Sequence, residues 1–257
     1  SRFWHKSGEF FKYSFPFDKT PPLSEEHVLY CRRAYLACVR YTDRQVGKVL
    51  AHLEATGLAD NTIVVHTSDH GELLGEHGLW RKMSFYDQAA RVPLQIRWPG
   101  RSLAGERIAC CASLVDVTAT LIDAAGVEQQ GLALDGHSLA GLIDGSAEAI
   151  RNWPDEAFSE QTSHGTDRPR AMLRRGSWKL CMSGGADSET ELYDLLRDPG
   201  EFHNRAGDPE VAQIEGDLRD SLLARWNPTA VEAQVRAHQD RVAIIRSASR
   251  QGERPLF

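Results

Sequence analysis

No apolar run in the 257-residue sequence approaches the roughly 18 residues that a membrane-spanning helix needs. Cysteine is scarce and odd in number. Cys31, Cys38, Cys110, Cys111 and Cys181 show neither the paired spacing of a zinc site nor that of a disulfide framework. They read as small buried hydrophobes in a reducing compartment, and a cytoplasmic location is expected. Positive charge is not in excess either: 30 Lys and Arg stand against 36 Asp and Glu, for a net charge of −6. That balance argues against a nucleic-acid-binding surface. The chain opens Ser1-Arg2-Phe3-Trp4, with no initiator Met and no charged-then-apolar leader. No internal repeat or low-complexity tract occurs. What is present is ordinary: 41% apolar and 26% charged residues, a globular composition long enough for a sizeable core and one to two domains.

Residues 1–23 are aromatic and basic without a steady period and read as irregular surface structure. From Ser24, Val28, Cys31, Tyr35, Cys38, Val46, Val49 and Leu53 keep mostly three- and four-residue steps, predicting a long helix that Gly57 stops. The β-branched run 62–67 is apolar on both faces and predicts a buried parallel strand of a doubly wound α/β sheet. A glycine-containing loop and a short helix over 68–91 follow, then an alternating strand through Val92, Leu94, Ile96 and Trp98. A helix through Leu114, Val117, Leu121 and Ile122 ends at Gly126, and 127–155 reads as loop. The expected division is an α/β portion over 1–150 and a second subdomain over 151–257. The latter holds a small antiparallel sheet (157–159, 171–174, 178–182), a turn at Asp198-Pro199-Gly200, a helix from Val211 to Leu223 and a helical tail.

The chemistry concentrates in Ser68-Asp69-His70-Gly71-Glu72, Gly75-Glu76-His77-Gly78 and Lys82. Asp69 and His70 follow a strand end, the edge where open α/β sheets bind ligands. Together they offer one oxygen and one nitrogen to a divalent cation. By spacing alone the same pair is more often a turn or helix cap than a metal site. Lys82 returns as a mobile point charge suited to an oxyanion, or as a solvated surface lysine.

The run from Tyr41 to Gly100 resembles the sulfatase family of the alkaline-phosphatase superfamily. The residues that carry the resemblance are Asp43-Arg44-Gln45-Val46-Gly47, Asp60-Asn61-Thr62-Ile63-Val64, the Ser68 to Lys82 landmarks, and Arg91-Val92-Pro93-Leu94. It continues through Ser113-Leu114-Val115-Asp116, Leu134-Asp135-Gly136-His137, Glu191-Leu192-Tyr193-Asp194-Leu195 and Asp198-Pro199-Gly200-Glu201, covering about 30–226. The tail, with Trp226-Asn227-Pro228, His238-Gln239, Arg241 and Arg250-Gln251-Gly252, is most similar to choline sulfatases.

The resemblance implies a partial αβα sandwich with a small C-terminal α+β subdomain, and a hydrolase of small sulfate esters. It implies Asp69 and His70 as metal ligands, with calcium expected first and Mn2+ or Mg2+ as alternatives. Lys82 becomes the catalytic sulfate contact, and His77 and Glu160 further substrate contacts. No membrane or nucleic-acid partner is implied, and the tail is expected to build a homo-oligomer. The family's nucleophile motif, C/S-x-P-S-R, does not occur, nor does its early Asp-Asp metal pair. The chain therefore resembles the C-terminal half of a sulfatase and alone is expected to be inactive. Alternatives are a phosphonate or phosphate monoester hydrolase of the same superfamily, or a non-catalytic degenerate fragment.

Overall fold

The computed structural model describes residues 24–101, 105–127, 131, 133–162, 168–185 and 188–251. The expected irregular segment 1–23 lies outside the described residues, as does Gly252 of the tail. The described chain divides into two compact units, one ending at Asp155 and the other beginning at Glu156.

The first unit opens with helix α1, Glu25–Ala55. Ser24 caps it by accepting the His27 N–H at 3.3 Å, and Glu25 and Glu26 complement the positive end of the helix dipole. The helix forms where the spacing predicts, but none of its residues is buried. Strand β1, Val64–Thr67, follows a single 3-10 turn. Its expected parallel pairing is corrected: β1 pairs antiparallel with β2, Leu94–Arg97, in the register Val64 to Arg97 through Thr67 to Leu94. The intervening chain folds back on itself and carries only a 3-10 turn and the four-residue α2, Asp87–Ala90. A chain spent on a reversal returns beside the strand it left, in the opposite direction. The burial expectation is corrected as well, since Val64 and Val65 are half-buried and His66 and Thr67 exposed.

Helix α3, Leu114–Ala124, is fixed at its start by Asp116, which is buried. Its carboxylate accepts the Ser113 N–H at 2.7 Å and the His137 N–H at 2.8 Å. The approach is tight enough that a Cβ on Gly136 would stand 2.3 Å from Val115 O, so the position requires glycine. The stretch read as loop holds two short helices, α4 (Ala140–Ile143) and α5 (Ala147–Asn152). Leu139, Leu142 and Ile143 form the unit's apolar cluster, with Leu94, Ile96, Trp98, Val117 and Trp153 packed around them.

In the second unit, β3 (Glu156–Gln161), β4 (Arg170–Arg175), β5 (Trp178–Ser183) and β6 (Thr190–Asp194) form an antiparallel meander. Helix α6, Ala212–Arg225, covers one face: Ala171, Leu173, Leu180, Met182 and Leu192 alternate from the strands and meet Leu218, Leu222 and Trp226. Helix α7 spans Pro228–Gln251. Of the cysteines, Cys111 and Cys181 are buried, Cys31 and Cys110 half-buried and Cys38 exposed, so the expectation of burial fails at Cys38. All five are free thiols. Among the described residues no helix is long and apolar enough to cross a membrane.

Candidate functional site

The chain turns as soon as β1 ends. Ser68 Oγ donates to the His70 carbonyl at 3.0 Å, and Asp69 Oδ1 accepts the His70 N–H at 3.0 Å. Gly71 then passes so close to α2 that a Cβ would lie 2.0 Å from Gln88 O, and its N–H donates to Ala89 O at 2.8 Å. Only glycine fits there. Next the chain reverses in a short ladder, with Leu73 N–H donating to Arg81 O and Gly75 N–H to Leu79 O, both at 2.8 Å. Leu74, His77 and Arg81 adopt left-handed backbone with φ of 50, 53 and 69°, each at a cost of about 1–2 kcal/mol. Buried Leu73 anchors the reversal. The ladder delivers Lys82 to His70.

Lys82 Nζ lies 2.5 Å from His70 Nε2, and His70 Nδ1 lies 2.7 Å from Gly71 O. An ammonium only donates and a carbonyl only accepts, so Nδ1 carries the ring proton and Nε2 accepts from Lys82. Asp69 Oδ2 stands 3.3 Å from the same Nε2. Desolvation pushes the Asp69 carboxyl up. N–H bonds from His70 and Asp69 and the charge of Lys82 together outweigh it and hold the carboxyl below the usual range.

Three of the expected site residues are thus together: Asp69, His70 and Lys82. Asp69 Oδ2 and the lone pair of His70 Nε2 lie side by side, and a positive group already sits on the ring nitrogen. An oxygen and a nitrogen so placed fit as two ligands of a divalent cation once Lys82 Nζ leaves Nε2, because the one lone pair there cannot serve both. Among the described residues no group of three or more His, Cys, Asp or Glu side chains could hold a metal ion, so the six to eight ligands of calcium are not completed there. The ring of His77 stacks on Tyr86 at 3.8 Å between centroids and 4° between planes. Glu160 is exposed on β3, opposite Ala171, in the other compact unit. Trp80 packs beside Gly75 within the loop. One residue at the loop carries no local signal in the sequence. Arg32, from α1, reaches across 42 positions to donate to Leu74 O at 2.9 Å and across 44 to Glu76 Oε1 at 2.8 Å.

Two family models match the chain: Sulfatase over residues 9–127, and N-sulphoglucosamine sulphohydrolase, C-terminal, over 75–227. The chain belongs to the sulfatase family. It is 35% identical over 235 residues to a choline-sulfatase of Rhizobium meliloti, covering 90% of this chain and 44% of that protein. The sulfatase chain is also similar to the phosphonate monoester hydrolase SpPMH of Silicibacter pomeroyi, at a TM-score of 0.71 and 33% identity, over 84% of this chain and 46% of that one. A 2-O GAG sulfatase matches at a TM-score of 0.70 and 29% identity, over 79% of this chain and 45% of that one. The fold is therefore that of the alkaline-phosphatase-like sulfatases, and the chain spans less than half the length of the relatives it matches.

Proposed function

We propose that this sulfatase chain forms part of a hydrolase of small sulfate monoesters. The convergence of Asp69, His70 and Lys82 at the end of β1 carries the reading. Lys82 binds the ester's sulfuryl oxygens and stabilises the charge that grows on them as the ester bond breaks. Asp69 and His70 would hold a divalent metal ion, calcium first, which when bound supplies Lewis-acid polarisation of the sulfate oxygens. Gly71 O keeps the His70 ring in the tautomer that leaves Nε2 as the acceptor. His77 and Glu160 are further proposed substrate contacts. The C/S-x-P-S-R nucleophile motif does not occur in this sequence, so this chain alone is expected to be inactive. A homo-oligomer built through the tail completes the proposal.

In the complete protein, Lys82→Ala lowers kcat for an aryl sulfate by about 10²- to 10³-fold, the size expected when one preorganised charge partner is removed. Calcium affinity is largely retained in that variant and lost in Asp69→Asn. Similarity to SpPMH supports a second reading, phosphonate monoester hydrolysis. Matched aryl sulfate and phosphonate esters separate the two, and phosphonate turnover far above sulfate turnover overturns the first.

A further inference from the structure

We infer that Arg32 is the positioning residue for Lys82. The inference rests on the assignment of Lys82 to the ester site, and deepens it by naming what holds that side chain in place. Lys82 hangs from a reversal that carries the rungs Leu73 to Arg81 and Gly75 to Leu79. Between the rungs the tip turns through left-handed Leu74, Gly75, His77 and Gly78. It is closed by the backbone bonds Glu76 N–H to Leu73 O at 2.9 Å, Gly78 N–H to Gly75 O at 3.1 Å and Leu79 N–H to Glu76 O at 2.8 Å. Left-handed backbone is costly at Leu74 and His77.

Arg32 grips this tip at two points. Its Nε donates to the carbonyl of left-handed Leu74 at 2.9 Å, and its Nη2 donates to Glu76 Oε1 at 2.8 Å. A planar guanidinium can hold two acceptors at once in a fixed direction, whereas an ammonium has no such fork. The grip starts from the interior of a 31-residue helix capped by Ser24. Arginine thus fixes the tip, the tip fixes both rungs, and the rungs return Lys82 to His70. Without it, the left-handed tip relaxes and Lys82 samples positions away from His70 Nε2.

The test uses the chemical reactivity of Lys82 in the full chain rather than sulfate release. Failure of this inference and failure of the hydrolase reading are therefore distinguishable. Wild type, Arg32→Ala, Arg32→Lys and Glu76→Gln are treated briefly with an amine-acetylating reagent, and each lysine is followed by peptide mass spectrometry. Exposed Lys48, also on α1, is the reference, and buried Lys179 reports global loosening. Alanine is the best helix former, so Arg32→Ala leaves α1 intact. The expected result is Lys82 acetylated about three- to tenfold faster relative to Lys48 in Arg32→Ala, as follows from losing one to two hydrogen bonds. Arg32→Lys, which loses the fork, and Glu76→Gln, which keeps an acceptor at 76 but loses its charge, fall between. An unchanged or lower Lys82 ratio in Arg32→Ala overturns the inference, and so does a parallel rise at Lys179.

Discussion

Lys179 and Glu201 bring opposite charges into the interior of the second unit, with side chains 1% and 0% exposed and Nζ 2.7 Å from Oε1. Neither charge is tolerable there alone, because desolvation costs more than any distant partner returns. Lys179→Ala leaves the carboxylate without its ammonium and is expected to cost about 3–5 kcal/mol of stability, while Lys179→Met paired with Glu201→Leu costs far less. Urea midpoints of the single and double variants check this. A double variant as unstable as the single one means that shape, rather than charge pairing, holds the position. The same logic of partners applies at His70, where the carbonyl of Gly71 decides which ring nitrogen faces Lys82.

Elements with local signals were legible before the structure. α1 follows from its apolar spacing and its stop at Gly57, and β3, β4 and β5 follow from the short runs at 157–159, 171–174 and 178–182. The Asp69–His70–Lys82 grouping was legible as a motif, because a strand end and a glycine reversal place those residues by local geometry. Partner choice was not. The apolar faces of 62–67 announce that covering layers are needed, yet say nothing of strand direction, which the folded-back loop decides. Arg32 was illegible for a related reason: its acceptors lie 42 and 44 positions away. Helix α6 shows how a shorter tie responds to pH. Glu215, in its first turn, accepts the Gly207 N–H at 2.7 Å and the Arg219 guanidinium at 2.8 Å, and these bonds, led by the backbone one, hold its carboxyl below the usual glutamate range. A lowered native value means the unfolded chain binds the proton more readily. The stabilisation is thus fully present above the ordinary glutamate pKa and is lost as pH falls through the lowered native one. Glu215→Gln is expected to flatten the acid-side loss of stability. Identical acid-side slopes for wild type and variant sink the assignment.

At the scale of the whole molecule, the two family models together span 9–227 of the chain, while the chain spans less than half of its relatives. A layered α/β fold buries its helices and sheet against one another, so a helix left uncovered presents apolar surface to water. Helix α1 shows it. Leu29, Leu36 and Val39 keep helical spacing and are exposed, Leu36 by 63%, and neighbouring Tyr30 is exposed by 72%. Contiguous apolar surface of this kind drives association at a soluble protein's expense. The purified chain is expected to self-associate with rising concentration, measured by light scattering, and Tyr30→Glu with Leu36→Glu is expected to suppress it. The proposed tail-mediated oligomer predicts a separate dependence on Ile244 and Ile245, both exposed on α7. If only Ile244→Glu with Ile245→Glu suppresses association, the tail alone is the contact and the α1 face is stable in water. A monodisperse monomer at every concentration removes both surfaces as contacts and shows that the isolated chain tolerates its exposed apolar residues singly.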